Sequence, residues 1–152
     1  VKAQGLSVGL NYYMNEKTVL NANYSWNTLV NEDNTDPLIP AYNTPKHKFN
    51  IGVSQKFIIA RNEYNLSMNY KWQEQFLFEG SPQFTGEVPS YGLVDAQINR
   101  YVNIKGILNG DIKNSKLLIK IGASNLLNNR VYQAYGGPSI GRLGYISLTF
   151  DY

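Results

Sequence analysis

The chain has no cysteine, two methionines, two tryptophans and a single histidine, His47. Without cysteine there is no disulfide framework and no thiol chemistry. With one histidine, neither a multi-histidine zinc site nor a histidine-based triad can be built from these residues. Long apolar runs are also missing. The longest, such as Phe57–Ala60, span a few residues, far short of the roughly 18 that a membrane helix needs. Mean hydropathy is −0.34, and a net charge of +3 over 152 residues is too small to argue for nucleic acid. There is no initiator methionine and no signal peptide. Either processing has removed an N-terminus, or the chain that opens at Val1-Lys2-Ala3-Gln4 is one piece of something longer.

What is present is alternation. In the last twelve residues, Ile146, Leu148, Phe150 and Tyr152 alternate with Ser147, Thr149 and Asp151. A period of two gives a β-strand one greasy and one wet face. Six further runs behave alike. They are Gly5–Tyr13, Thr18–Leu29, His47–Phe57, Glu63–Phe78, Tyr91–Ile104 and Ser115–Leu126, with Gly141–Tyr152 as the seventh. Each has about the 9–11 residues with which a tilted strand crosses a bilayer. Thirteen glycines and six prolines are scattered between them, as many short elements joined by turns require.

The connections carry separate information. Short turns at 15–17 and 59–62 alternate with long loops at 30–46, 79–90 and 127–140, and 105–114 is intermediate. Outer-membrane barrels have short periplasmic turns and long outer loops. With a periplasmic C-terminus, strand parity puts all three long loops outside. Aromatic residues then collect at two levels. Tyr24, Trp26, Phe49, Tyr70 and Trp72 fall towards the outer interface; Tyr12, Phe57, Tyr64, Phe150 and Tyr152 fall towards the periplasmic one. Two aromatic girdles around an aliphatic band are what a lipid-facing surface carries. The expected fold is therefore all-β, an antiparallel transmembrane β-barrel in the bacterial outer membrane, with 1–152 in one domain. A soluble barrel or sandwich also alternates, but the belts and the order of loop lengths stand against it.

Seven strands do not close a barrel. In lipid every backbone N–H and C=O needs a partner, and bacterial single-chain barrels have even strand numbers. The expectation is that the missing strands lie upstream in the same polypeptide.

Several segments resemble the C-terminus of TonB-dependent outer-membrane receptors. They are Ile121-Gly-Ala-Ser-Asn-Leu-Leu-Asn128, Tyr132-Gln-Ala-Tyr-Gly-Gly-Pro138 and the closing strand. Ile39-Pro-Ala-Tyr-Asn-Thr-Pro-Lys-His-Lys-Phe49 and Gly86-Glu-Val-Pro-Ser-Tyr-Gly-Leu-Val-Asp95 are most similar to the Bacteroidetes-type receptors of that family. The resemblance implies a plugged barrel of about 22 strands, of which this chain supplies the last third. It also implies active import of a scarce nutrient, energised by a TonB-type partner that pulls on a plug domain absent from this chain. A surface lipoprotein is a further candidate partner.

The wet face would line the lumen: Asn21, Asn23, Asn50, Asn65, Asn69, Lys71, Gln73, Asp95, Gln97, Asn99 and Lys120. It is too polar for the packed interior of a small closed barrel. Lys48, Lys56, Lys71, Lys116 and Lys120 outnumber Asp95 and Asp151 there. That bias fits an acidic plug surface better than an anionic solute. The carboxylates of 31–36 match no EF-hand and read as a solvated loop tip rather than a calcium site. Residues 136–141 lack the Lys-Ser/Thr of a phosphate loop. No catalytic constellation, cofactor or metal is expected, so the chain reads as transporter wall and not as an enzyme. The alternative is a small self-standing outer-membrane barrel acting as adhesin, anchor or lipid-modifying enzyme.

Overall fold

The computed structural model describes residues 3–30, 43–104 and 116–151. The carboxylates of 31–36, the whole connection 105–114 and the girdle residue Tyr152 lie outside the described residues.

Among the described residues there are nine strands: β1 (Ala3–Asn15), β2 (Thr18–Leu29), β3 (His47–Ile59), β4 (Asn62–Gln73), β5 (Phe76–Glu79), β6 (Thr85–Val88), β7 (Tyr91–Asn103), β8 (Lys116–Ser124) and β9 (Leu143–Asp151). Seven form one antiparallel sheet in the order β1-β2-β3-β4-β7-β8-β9, and β5 with β6 forms a separate hairpin. The chain thus meanders, each strand lying beside its successor, with the hairpin inserted between β4 and β7. Among the described residues β1 and β9 remain as edges, and the sheet is not closed.

The short turns explain the tight hairpins. Asn15 Oδ1 accepts the Lys17 N–H at 2.8 Å, an Asx-type turn. Between β3 and β4, Ala60 (φ 48°) and Arg61 (φ 66°) both take positive φ, as a two-residue loop matched to strand twist requires. Asn62 Nδ2 donates to the Ala60 carbonyl at 3.1 Å and braces that turn.

Register fixes the two faces. Across the sheet Val8 pairs with Tyr24, Ala22 with Ile51, Ile51 with Tyr70 and Tyr70 with Val94; further on, Ile98 pairs with Ile121 and Ile121 with Ile146. One apolar face therefore runs unbroken over seven strands. It packs against nothing: Leu10, Ile51, Ile121 and Ile146 are 63, 53, 52 and 72% exposed. Val88 and Val131 are the buried aliphatic side chains among the described residues, and both lie outside the large sheet. A soluble sandwich would bury that face against a second layer, so the soluble alternative lacks its core.

Several boundaries differ from the sequence reading, and the third strand runs on from Phe57 to Ile59. The fourth strand stops at Gln73 instead of running to Phe78, and Phe76–Glu79 pairs with Thr85–Val88, inside what reads as a loop. Alternation itself continues through Phe76 and Phe78, but the flanking strands do not. β3 begins two residues after Pro45 and β7 two residues after Pro89. Proline gives no N–H to a ladder, so above Gln73 the segment pairs with itself. The sixth strand ends at Ser124 because Asn125 takes φ 52°. The last strand begins at Leu143, after the bridge Val131–Ile140 has closed the preceding loop. The first strand is longer than read, reaching back to Ala3 and on to Asn15.

Candidate functional site

The second face of the sheet is polar and also continuous. Asn23 pairs with Asn50 and Asn50 with Lys71; Asn21 and Asn69 both face Gly52; Asn69 pairs with Asp95. Nearer the short turns, Asn65 pairs with Asn99, Asn99 with Lys120 and Ser67 with Gln97. All eleven residues expected on the wet side share this face. Asn23, Asn50, Lys71 and Gln73 come together near the long loops, Asn65, Gln97, Asn99 and Lys120 lie towards the other end, and Asn21, Asn69 and Asp95 lie in register between the two groups. The residues near the long loops are the first group.

The first group lines a recess of about 400 Å³, completed by Ser25, Lys48, Tyr91, Leu93 and Gln133. Here Lys71 Nζ forms an ion pair with Asp95 Oδ2 at 2.5 Å. Lys48 has no ion-pair partner among the described residues, and Asn50 Oδ1 is buried without a hydrogen bond. The recess therefore presents an exposed cation, while the unsatisfied acceptor is buried in its wall at a cost of about 1–3 kcal/mol. Such a surface suits a polar occupant that carries negative charge.

Gln133 reaches the recess because the loop after β8 is clasped to β7. Asn125 is 3% exposed. Its N–H donates to Asp95 Oδ1 at 2.9 Å, its Nδ2 donates to the Asn129 carbonyl at 2.6 Å, and its Oδ1 accepts the Asn129 N–H at 2.9 Å. Asn129 Nδ2 then donates to the Gly92 carbonyl at 3.1 Å, and Asn128 Oδ1 accepts the Arg142 N–H at 2.9 Å. Asp95 thus holds both Lys71 of the recess and the loop beside it. Asparagine suits the task, since Asn125 and Asn128 both adopt positive φ, which asparagine tolerates better than most residues. The clasp was missed in the sequence, although three asparagines in five residues after a strand are a turn signal. Gln133 carried no signal at all.

The apolar face carries its rings at two levels. Towards the long loops Phe49 stacks on Trp72 (5.3 Å, 26°), lies 5.9 Å from Tyr70, and Tyr24 stacks on His47 with its hydroxyl 2.6 Å from Nδ1. Trp26 pairs with His47 at the same level. Towards the short turns Phe57 stacks on Tyr64 (5.7 Å, 12°), with Tyr12 on β1 and Phe150 on β9, the two edge strands. Among the described residues there is no cluster of three or more metal-ligating side chains.

A family model described as TonB dependent receptor-like, β-barrel, matches residues 1–126. No curated protein and no solved structure matches the chain.

Proposed function

The chain belongs to the TonB dependent receptor-like β-barrel family, whose members are outer-membrane transporters, and from that premise we propose that it supplies wall and outer loops to a receptor importing one nutrient solute. The carrying observation is a seven-stranded sheet with a bare apolar face, a polar face and two unpaired edges. In lipid each unpaired backbone group costs several kcal/mol. Strands β1 and β9 therefore pair with further strands of the same polypeptide, and the sheet curls with its apolar face outward.

In that arrangement the eleven polar residues face the lumen, and the two levels of aromatic rings are the girdles. The short turns and the C-terminus lie in the periplasm, and the long loops lie outside. The recess around Lys48, Asn50 and Lys71 then sits in the outer half of the lumen, facing a plug domain or a solute held above it. Energy reaches the site through the plug from a TonB-type protein, and this chain acts as wall and not as an enzyme. The self-standing barrel is disfavoured by the same open edges.

A strain lacking this chain is grown with ferric chelates, a cobamide or oligosaccharides limiting in turn. Growth is expected to fail on one of them, with no further defect on that nutrient when the TonB-type protein is also removed. Unchanged growth on all, or a defect that adds to loss of the TonB-type protein, overturns the transport reading. Intact mass of the native polypeptide tests the wall reading separately: several times 17.2 kDa is expected, and a mass near that value overturns it.

A further inference from the structure

On the outward face of the seven described strands one position carries a permanent charge, Arg100 on β7. It stands directly across from Ile119 and follows Asn99, the partner of Asn65. Its neighbours in register are otherwise apolar. A guanidinium on such a surface is expensive unless it reaches the interface and finds partners there.

The geometry shows where it reaches. Nη1 donates to Tyr64 Oη at 2.9 Å and Nη2 to Asn62 Oδ1 at 3.3 Å. The guanidinium carbon lies 5.2 Å from the Tyr64 ring centroid, and Tyr64 itself stacks on Phe57. Asn62 is the first residue of β4, beside the turn that holds Arg61. Arg100 therefore leans along the sheet towards the short turns. It lies three residues above Asn103, about 10 Å along the strand and less in depth once the strand tilts. That distance is within reach of the head-group level.

Its hydrogen bonding is incomplete. An arginine has five N–H donors, and two are used here. Nε is buried without a partner. Among the described residues the ion pair present is Lys71–Asp95, on the opposite face, so no carboxylate neutralises Arg100. Tyr64 Oη, already accepting from Nη1, keeps its own proton for another acceptor.

We propose that Arg100, with Tyr64 and Asn62, seats the phosphate of one phospholipid head group of the periplasmic leaflet. The phosphate supplies the missing anion to the guanidinium fork and an acceptor for the Tyr64 hydroxyl. The acyl chains lie on the apolar face above, past Leu66, Ile98 and Ile121.

The test uses the complete receptor carrying this chain, delipidated in maltoside detergent. Phosphatidylglycerol, phosphatidylethanolamine and diacylglycerol of matched chains are titrated, and bound lipid is counted by native mass spectrometry. Both phospholipids are expected to outbind diacylglycerol, and Arg100→Gln to weaken both about ten-fold while leaving diacylglycerol unchanged. Equal binding of diacylglycerol and phosphatidylglycerol to the wild type, or parity of Arg100→Gln with it, overturns the proposal. Should Arg100→Gln lose heat-modifiable migration, Tyr64→Phe carries the test: weaker phosphatidylglycerol binding supports the seat, parity overturns it. The proposal rests on the orientation given under Proposed function. A membrane-impermeant maleimide separates the two: labelling of Glu16→Cys in intact cells overturns that orientation whatever the lipid titration shows, and labelling only after lysis upholds it.

Discussion

Replacing Val53 by arginine asks directly which side of the sheet meets lipid. Strand β3 runs from His47 to Ile59, twelve steps of about 3.4 Å, or about 41 Å of strand. At a tilt near 45° that covers about 29 Å of depth, close to the ~25 Å apolar band of an outer-membrane barrel. Val53 lies six residues from either end, at mid-depth, between Leu20 and Met68. No polar side chain of its own face stands beside it in register. Arginine at the bilayer midplane costs about 2–4 kcal/mol, falling to ~0–1 kcal/mol near the interfaces. Val53→Arg is therefore expected to lower the folded-to-unfolded ratio by roughly thirty-fold to several hundred-fold. Phe57→Arg, near the turn, should lower it no more than about five-fold by the same depth rule. Asn50→Arg, on the polar face of the same strand, adds a third cation beside Lys48 and across from Lys71, and in that open recess it is expected to cost about 1 kcal/mol at most. The assay is urea unfolding of the complete receptor in lipid vesicles, followed by heat-modifiable migration. Equal costs at Val53 and Asn50 would refute the assignment of faces. So would a cost that does not fall between Val53 and Phe57.

Four further outcomes follow from particular contacts. Asn125→Ala removes two side-chain hydrogen bonds to Asn129 and leaves alanine at φ 52°; it should cost about 2–3 kcal/mol and speed amide exchange in 126–142 without affecting β3. Gly122→Val would place a Cβ 2.6 Å from Tyr145 Oη and 2.9 Å from the Ala96 backbone oxygen, a backbone contact that cannot yield, and should cost about 1–3 kcal/mol. Gly9→Ala meets only the movable Asn23 side chain closely, at 2.8 Å, so its unfolding midpoint should stay near wild type. In a double-mutant cycle of Lys71→Gln and Asp95→Asn, the coupling should stay below about 1 kcal/mol, because the Lys71 side chain is 55% exposed; a coupling near 3 kcal/mol would show that the pair is sealed from water.

The faces and the meander were legible in the sequence because a period of two is imposed by the pleat itself, and a one-residue slip would move every Leu and Ile to the wrong side. The two prolines just before β3 and β7 were also in plain sight, yet their effect falls on a third segment. Nothing local to Phe76–Phe78 tells it that its neighbours have stopped, so the break after Gln73 emerges only from sheet order. The same holds for the recess. Lys48, Asn50 and Lys71 could be placed on one face by parity, whereas Gln133 arrives from a loop whose path is set by Asn125 holding Asp95. Arg100 is the opposite case. It breaks the alternation of β7 in full view, and only the register with Tyr64 and Asn62 turns that break into a site.

The polar face also bears on how large the enclosed space is. A small barrel fills its interior with side chains that satisfy one another. Here the contacts made across that face are short-range ones, Ser7 with Ser25, Ser54 with Asn65 and Ser67, Gln97 with Tyr145. They tie together strands at most two apart, Tyr145 of β9 reaching over Gly122 of β8 to Gln97 of β7, without bridging a lumen. Asn50 Oδ1 is buried in the wall of the recess without a hydrogen bond, whereas Lys48 is exposed there and has no ion-pair partner among the described residues. An anionic occupant of the enclosed volume would meet the Lys48 ammonium first. The recess is in that sense half a site. Its residues set the charge and hydrogen-bonding character of one wall, with the Lys48 cation and the buried Asn50 acceptor two residues apart on β3 and Lys71 across from Asn50 on β4.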